Sequence, residues 1–246
     1  LNESKTRLFR INGAYENMER FRDNVQGQRY FVAPVFTWKA GSNTTITIDG
    51  EYIRDRRTAD FGIPAIGQAP AAVPLSRFFG ERFDTLRFEE GRAGLTVEHR
   101  LNSNWRIESR FRADRSVATA YRTVGLAVLP GNQSIARFFF DQLAPISSYY
   151  WWNDLIGKAT TGSITHALLT GVEVGRQYAS YDQAAVPFDT ISIFNPVYGQ
   201  TAAPTLNRTP FSRSFANALG GYVQDQISLR ENLHLLIGAR GDYFYQ

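Results

Sequence analysis

Residues 104–114 read Asn-Trp-Arg-Ile-Glu-Ser-Arg-Phe-Arg-Ala-Asp, and polar and apolar side chains alternate along them. The odd-numbered positions from 105 to 113 hold Trp, Ile, Ser, Phe and Ala. The even-numbered positions from 106 to 114 hold Arg, Glu, Arg, Arg and Asp. A helix would scatter these five charges around its circumference, whereas a strand places all of them on one side. The stretch therefore predicts a β-strand with one charged face and one apolar face.

The same period of two recurs along the rest of the chain, which is the pattern of half-buried strands. It is clear in four further stretches, 7–17, 45–52, 92–101 and 235–243. It is weaker in another four, 28–39, 147–161, 164–180 and 215–229. Together with 104–114, these stretches predict an all-β chain of about nine strands.

The connections between these strands are of two kinds. Short polar stretches suited to tight turns lie at 40–43, 102–104, 161–163 and 230–232. Longer stretches lie between them, at 55–87, 115–147 and 180–214, and contain nine of the ten prolines. Because proline removes a donor from a sheet ladder, we expect all three longer stretches to be loops. The longer stretches alternate with the short turns and so lie at the opposite end of the strands. Only one connection at the end with the longer stretches, near 21–27, is short.

Composition excludes several classes of protein. The chain of 246 residues has no cysteine, which excludes a disulfide framework or a thiolate metal site. No apolar run approaches the roughly 18–20 residues of a membrane-spanning helix, and 43% hydrophobic residues exclude intrinsic disorder. The net charge is +4, but the basic residues are dispersed among acids. We therefore expect no nucleic-acid partner, because a phosphate-binding surface would cluster its cations.

An antiparallel meander with short turns at one end and long loops at the other is typical of transmembrane β-barrels. In such a barrel the densely charged face would line a wet lumen and the apolar face would meet lipid. Aromatic residues at strand ends would then form interfacial girdles. A large soluble all-β protein is the alternative interpretation of the same pattern.

Four groups of segments resemble, in order and spacing, the barrel of TonB-dependent outer-membrane receptors of the ferric-siderophore, ferrichrome-type branch. They are FRDNV (21–25) with RYFVAPVFTW (29–38); EYIRDRR (51–57) with FGIPA (61–65); NDLIGK (153–158) with TG (161–162) and HALLTGVE (166–173); and GYVQDQ (221–226) with LIGARGDY (236–243). The resemblance covers most of the chain. It implies an antiparallel meander that forms part of a large transmembrane β-barrel, in the outer membrane of a Gram-negative bacterium.

The chain also departs from this family. No segment resembles the family's plug domain or its TonB box, and the last residues, Tyr245 and Gln246, do not match the family's closing aromatic strand. A plugged transporter barrel has about 22 strands, whereas this sequence predicts about nine. We therefore expect residues 1–246 to be a partial barrel domain from the first part of the barrel, without the plug and the C-terminal strands.

The resemblance implies a receptor and transporter for ferric siderophores that is driven by TonB, and not an enzyme. Its expected partners are a ferric siderophore, the TonB complex acting through the plug and TonB box, and outer-membrane lipid. No cofactor is expected, since iron would enter only within the bound chelate. The alternatives are a passive porin-like channel and a soluble β-rich protein that binds or processes carbohydrate.

Ligand-binding candidates are residues that could stack on a flat ferric chelate or bind its charge. Arg77, Phe78 and Phe79 lie in a predicted outer loop, and Tyr150 and Trp152 lie where a strand is predicted to start. Aromatic residues at a strand end also form girdles, so both interpretations stay open for the last two. The arginines of the charged face could attract an anion or could pair with acids of the same wall.

No catalytic or metal-binding motif is present in the sequence. His99, His166 and His234 fall on different predicted strands, near the turn end and without ligand spacing. Glu89 and Glu90 are neighbours where a predicted strand begins, so their side chains point to opposite faces. We expect a structural role for all five residues.

Overall fold

A computed structural model describes residues 5–246 as an all-β chain of eleven strands. Their bounds are β1 Arg7–Glu19, β2 Gln26–Lys39, β3 Thr44–Arg57, β4 Ala65–Ile66, β5 Ala69–Pro70, β6 Thr85–Arg100, β7 Trp105–Val128, β8 Ser134–Thr161, β9 Ile164–Ser192, β10 Thr209–Arg230 and β11 Leu233–Tyr245. Within this range no helix is long and apolar enough to cross a membrane.

Nine of the strands form one antiparallel sheet in the order β1-β2-β3-β6-β7-β8-β9-β10-β11. The two short strands β4 and β5 pair with each other inside the connection between β3 and β6. Each strand of the large sheet therefore pairs with the next long strand along the chain. This arrangement confirms the predicted meander of about nine strands and the four predicted short turns.

The register places the two predicted faces on opposite sides of the sheet. Phe111 is level with Leu95 on β6 and with Trp151 on β8, and all three side chains are exposed. The same row continues through Ile48 on one side and Val174 on the other. A continuous row of exposed apolar side chains is what a lipid-facing barrel wall requires. We call this side the apolar face and the opposite side the charged face.

Ion pairs between neighbouring strands cover the charged face. Arg92 on β6 lies within 3.2 Å of carboxylates on three residues, Glu51, Glu90 and Asp114. Arg110 on β7 lies 2.7 Å from Asp154 on β8. The paired-wall interpretation therefore holds for Arg92 and Arg110.

Two of the three predicted loops are wrong in extent. The 115–147 stretch is mostly strand, because β7 continues to Val128 and β8 starts at Ser134. The 180–214 stretch shortens to a loop at 193–208, between the ends of β9 and β10. The first stretch remains the longest of the three connections, at 58–84, with β4 and β5 inside it.

The loop prediction failed at these prolines because each of them lies in a strand at a position where pairing with one neighbouring strand is interrupted or absent. The pairing between β8 and β9 is interrupted beside Pro145. Pro187 lies on the part of β9 beyond the end of its pairing with β10, and Pro210 lies at a bulge of β10. Edges and bulges are the sheet positions that tolerate proline.

Loops cover the sheet where β7, β8 and β9 extend past their neighbours. We call this region the outer loop cluster: residues 58–84 and 193–208 with the ends of β7–β9. Its buried apolar side chains include Phe79, Ile135, Ile191 and Ile193. Rings of Phe83, Tyr121, Phe139 and Phe188 pack beside them, with centroids 4.5–6.2 Å apart. Apolar strand surface outside a bilayer must be covered by protein, and these loops provide the cover.

Candidate ligand site on the charged face

A cavity of ≈ 620 Å³ lies on the charged face toward the outer loop cluster. Its lining combines small or apolar side chains with arginines and a glutamine. The lining residues are Arg29, Ile53, Asp55, Arg57, Leu86, Arg87, Phe88, Ala118, Thr119, Ala120, Arg122, Gln142, Ala144 and Tyr181. Both its volume and this mixture of apolar and polar groups are typical of sites for small molecules.

The cavity exists because alanines replace long side chains at this level of the wall. Ala118 on β7 is paired with Phe88 on β6 and with Ala144 on β8. Further toward the short turns, the same face of β7 and β8 carries Arg112 beside Tyr150. The shorter side chains leave a recess with an apolar floor.

Arg122 lies at this recess and has unused hydrogen-bonding capacity. One terminal nitrogen donates to Gln142 Oε1 at 2.9 Å, and the guanidinium lies 5.3 Å from the Phe61 ring centre. Its Nε is buried and, among the described residues, has no hydrogen-bond partner. A buried donor without a partner is costly. An anionic ligand in the recess would lie beside this guanidinium and offset the cost of burying its charge.

The charge balance of the cavity also favours an anion. Arg29 and Arg57 both pair with the carboxylate of Asp55, the first at 2.7 Å. Arg122 also lines the cavity from the charged face, so the guanidinium groups of Arg29, Arg57 and Arg122 face one lining carboxylate. The walls therefore retain positive charge.

Three of the residues predicted to bind ligand lie in the outer loop cluster. Phe78 is 1% exposed and Phe79 is 8% exposed, and Arg77 donates to the carbonyl oxygen of Phe194 at 2.6 Å. Phe78 packs against Tyr198, whose hydroxyl donates to the Phe78 carbonyl oxygen at 2.8 Å. The burial of both phenylalanine rings does not support direct stacking on a ligand, and their role in binding stays a prediction.

Tyr150 and Trp152 lie within β8 and not at its start, because β8 begins at Ser134. Their rings stack on the charged face with centroids 5.5 Å apart, and Arg110 lies 5.7 Å from the Trp152 ring. Trp151, between them, lies on the apolar face. Tyr150 and Trp152 are therefore wall residues of the charged face, and their role in ligand binding stays a prediction.

Sequence reasoning missed Phe88, Arg122 and Tyr181 at the cavity. The alternation of 104–114 continues on the same face through Ala118, Ala120 and Arg122. This continuation could have predicted that β7 extends to the cavity. The assignment of 115–147 to a loop concealed it.

The remaining titratable candidates have structural partners. Glu89 lies 3.2 Å from Arg54, and Glu90 lies 2.7 Å from Arg92. His99 and His166 share hydrogen bonds with Thr44 and Asp225. No group of three or more potential metal ligands occurs in the part of the chain that the structure describes.

Asp84 joins the end of the 58–84 connection to β7 in the outer loop cluster. One carboxylate oxygen accepts hydrogen bonds from the amide and hydroxyl of Thr123, at 2.9 and 3.0 Å. The other accepts the Glu81 amide at 2.9 Å. Burial raises the pKa of Asp84 to about 6, because desolvation outweighs these hydrogen bonds to the charged form.

The raised pKa predicts that acid stabilises the packed outer loop cluster, because protonation removes the cost of burying the Asp84 carboxylate. Stabilisation from Asp84 is fully present below about pH 4 and is lost as pH rises through about 6, by about 1–3 kcal/mol. Hydrogen exchange at the Thr123 amide should therefore be slower at pH 5 than at pH 7, after correction for the intrinsic rate. Asp84→Asn should remove this difference. An unchanged pH dependence in Asp84→Asn would contradict the prediction.

Comparison with known proteins identifies the family. The family model described as TonB dependent receptor-like, beta-barrel, matches residues 36–245. The chain belongs to this family. Family members are transport receptors of the outer membrane, so the strands found here form part of an outer-membrane β-barrel wall.

Curated TonB-dependent relatives match the chain over nearly its whole length. The metal-pseudopaline receptor CntO of Pseudomonas aeruginosa strain UCBPP-PA14 is 30% identical, over 100% of this chain and 35% of its own length. The ferrichrome outer membrane transporter/phage receptor of Escherichia coli K12 is 25% identical, over 96% of this chain and 35% of its own. The chain thus spans about a third of the length of the curated relatives it matches.

Solved structures of TonB-dependent receptors share the fold. The siderophore receptor PiuA from Acinetobacter baumannii superposes with a TM-score of 0.86 at 18% identity, covering 99% of this chain and 39% of that one. The open form of the ferric-catecholate import receptor Fiu from Escherichia coli K12 superposes with a TM-score of 0.84 at 22% identity. The match covers 98% of this chain and 40% of that one. The family match favours a receptor over the porin-like channel and the soluble protein.

Proposed function

We propose that this chain forms part of the barrel wall of a receptor that takes up ferric siderophores or similar metal chelates with energy from TonB. Relatives named as receptors for metal-pseudopaline, ferrichrome, ferrioxamine B and catecholate siderophores support the ligand class. The observation that carries the proposal to this chain is the cavity on the charged face, where Arg122 offers a buried and unpartnered Nε.

The chemistry of the cavity suits such a chelate. An apolar floor that includes Phe88 and Ala118 would contact the organic part of the ligand, and the guanidinium groups would bind its anionic groups. Iron would be cargo inside the chelate, so the wall needs no metal ligands of its own. Binding and release would proceed without covalent chemistry by these residues.

We also propose that residues 1–246 are one portion of a longer barrel domain. The coverage of about a third of each matched relative supports this. The TonB complex would act through a plug and a TonB box encoded elsewhere in the complete receptor. Outer-membrane lipid would contact the apolar face.

Arg122→Gln in the complete receptor should weaken binding of an anionic ferric chelate about tenfold or more, since a charged hydrogen bond contributes about 1.5–3 kcal/mol. Binding is measured on whole cells at low temperature with radioactive iron, for a panel of ferric catecholates and hydroxamates. Surface abundance is measured in parallel.

Arg106→Gln is the matched control, because Arg106 lies on the same strand and face near the short turns, away from the cavity. It should leave chelate binding unchanged. Equal binding by the Arg122→Gln variant and the wild type across the panel would remove the cavity from the ligand site. Failure of every chelate to bind the wild type would contradict the proposed function itself.

A further inference from the structure

A buried carboxylate joins two arginines on one side of the cavity. Asp55 on β3 is 5% exposed and is level with Arg29 on β2. Asp55 Oδ2 accepts a hydrogen bond from Arg29 Nε at 2.8 Å, and Oδ1 accepts one from Arg57 Nε at 2.8 Å. One terminal nitrogen of each guanidinium group contacts the same carboxylate. Asp55 therefore binds both arginines along one edge of the guanidinium plane.

These contacts leave the other terminal nitrogen of each guanidinium group for a further partner. The Arg29 and Arg57 side chains are 42% and 38% exposed and both residues line the cavity, whereas the carboxylate between them is buried. Glu16, which is outside the cavity lining, lies 4.0 Å from the remaining terminal nitrogen of Arg29. The two arginines bring two positive charges against one lining carboxylate, so a net positive charge faces the cavity.

An apolar floor separates these two arginines from Arg122. Asp55 is level with Phe88 on β6, which is level with Ala118 on β7. Since neighbouring strands lie about 4.8 Å apart, β3 and β7 lie about 10 Å apart at this level. Arg122 lies farther along β7 and lines the same cavity. A ligand that contacts both sides therefore needs anionic groups at two ends of an apolar body.

We propose that Asp55 is a positioning residue, which holds Arg29 and Arg57 so that the cavity selects negatively charged ferric chelates over neutral ones. This inference rests on the proposed function. Guanidinium groups that are fixed before a ligand arrives lose less freedom on binding, and their planar edges match the paired oxygens of catecholate or carboxylate groups. The buried carboxylate acts on the chelate only through the two arginines.

A role in positioning and a role in cancelling charge predict opposite effects for Asp55→Asn. If the carboxylate only cancelled charge, its removal would tighten the binding of an anion. If it positions the arginines, its removal leaves two adjacent cations that repel each other and lose their common orientation. The binding of an anionic chelate then weakens, although the cavity has become more positive.

The test compares a triply negative ferric tris-catecholate with a neutral ferric tris-hydroxamate, on whole cells at low temperature that carry the complete receptor. Binding is measured with radioactive iron and normalised to surface abundance. The wild type should bind the catecholate about tenfold more tightly or better, and Asp55→Asn should reduce this preference about fivefold. Asp55→Glu, which keeps the charge, should retain part of it. In the Arg29→Gln/Arg57→Gln background, Asp55→Asn should cause no further loss, because its effect passes through those two side chains.

Asp114→Asn is the matched control, because Asp114 also accepts from the Nε atoms of two arginines on the charged face, Arg92 at 2.6 Å and Arg112 at 3.1 Å, but lies outside the cavity lining. It changes the charge of the face equally and should leave the preference unchanged. Unchanged or tighter catecholate binding by Asp55→Asn would overturn the proposal. An equal loss for both chelates, an equal loss in Asp114→Asn, or a wild type without a preference would overturn it as well. A wild type that binds neither chelate would contradict the proposed function itself.

Discussion

Leu95→Arg is expected to destabilise the complete receptor in a bilayer by about 2–4 kcal/mol, the cost of an arginine on the lipid face at the midplane. Leu95 is 39% exposed on the apolar face, level with Ile48 and Phe111. A tilted strand crosses the hydrocarbon in about 9–11 residues. Leu95 lies near the middle of the β6 segment from Glu89 to Arg100, after which the short turn begins. The measurement is reversible unfolding by denaturant in lipid vesicles.

Thr96→Arg is the control, because it introduces the same side chain one position along β6. Thr96 lies on the charged face, level with Thr47 and Arg110, where water and carboxylates solvate a cation. Its expected cost is below about 1 kcal/mol. Equal destabilisation by Leu95→Arg and Thr96→Arg would show that the two faces are assigned wrongly.

Arg137→Met is expected to destabilise the outer loop cluster by about 3–5 kcal/mol, because it leaves a buried carboxylate unpaired. The side chains of Arg137 and Glu81 are both 1% exposed and lie 2.9 Å apart. The same guanidinium also donates to the carbonyl oxygens of Phe79 and Asp189, and it pairs with the Asp189 carboxylate. Glu81 in turn accepts the amide of Gly199 at 2.9 Å. One side chain therefore holds both loops of the cluster against β8 and β9.

Hydrogen exchange and limited proteolysis across 193–208 measure this effect. Arg208→Met is the comparison, since its ion pair with Asp141 also joins a loop to β8 but is more exposed. It should cost less than Arg137→Met, because the Arg208 side chain is 34% exposed whereas that of Arg137 is 1% exposed. Adding Glu81→Gln to Arg137→Met should restore part of the protection, because glutamine carries no charge and still accepts from Gly199. Unchanged protection in Arg137→Met would contradict the assigned role.

Local sequence was sufficient for the strands that cross the membrane. Alternation along 104–114 correctly separates Ile107 and Phe111 from Arg110 and Arg112, because successive side chains of a strand point to opposite faces. Polar turns such as 40–43 were placed correctly for the same local reason. The strand extensions were missed because proline was interpreted without knowledge of its neighbours. Whether Pro145 breaks a ladder depends on the residues beside it on β9.

The candidate site was predictable only in part. Tyr150 and Trp152 were expected to stack on a chelate or to belong to a girdle; the structure places their rings against each other on the charged face, and their role in binding stays a prediction. The burial of Phe78 could not be predicted, since it depends on Tyr198, 120 residues away. The recess beside Arg122 likewise needs Phe88 and Ala144 from neighbouring strands.

By itself, the sequence determined the period of the strands, their charged and apolar faces, and the difference between the end of the sheet with short turns and the end with long loops. Through the resemblance, it also determined the family. These features depend on side chains a few residues apart. Only the tertiary structure decided how far β7, β8 and β9 extend, which arginines lack a carboxylate, and how Arg137 joins two loops. Those outcomes depend on residues that are distant in the chain, such as Glu81, 56 positions from Arg137. Register and burial bring them together, and a local pattern contains neither.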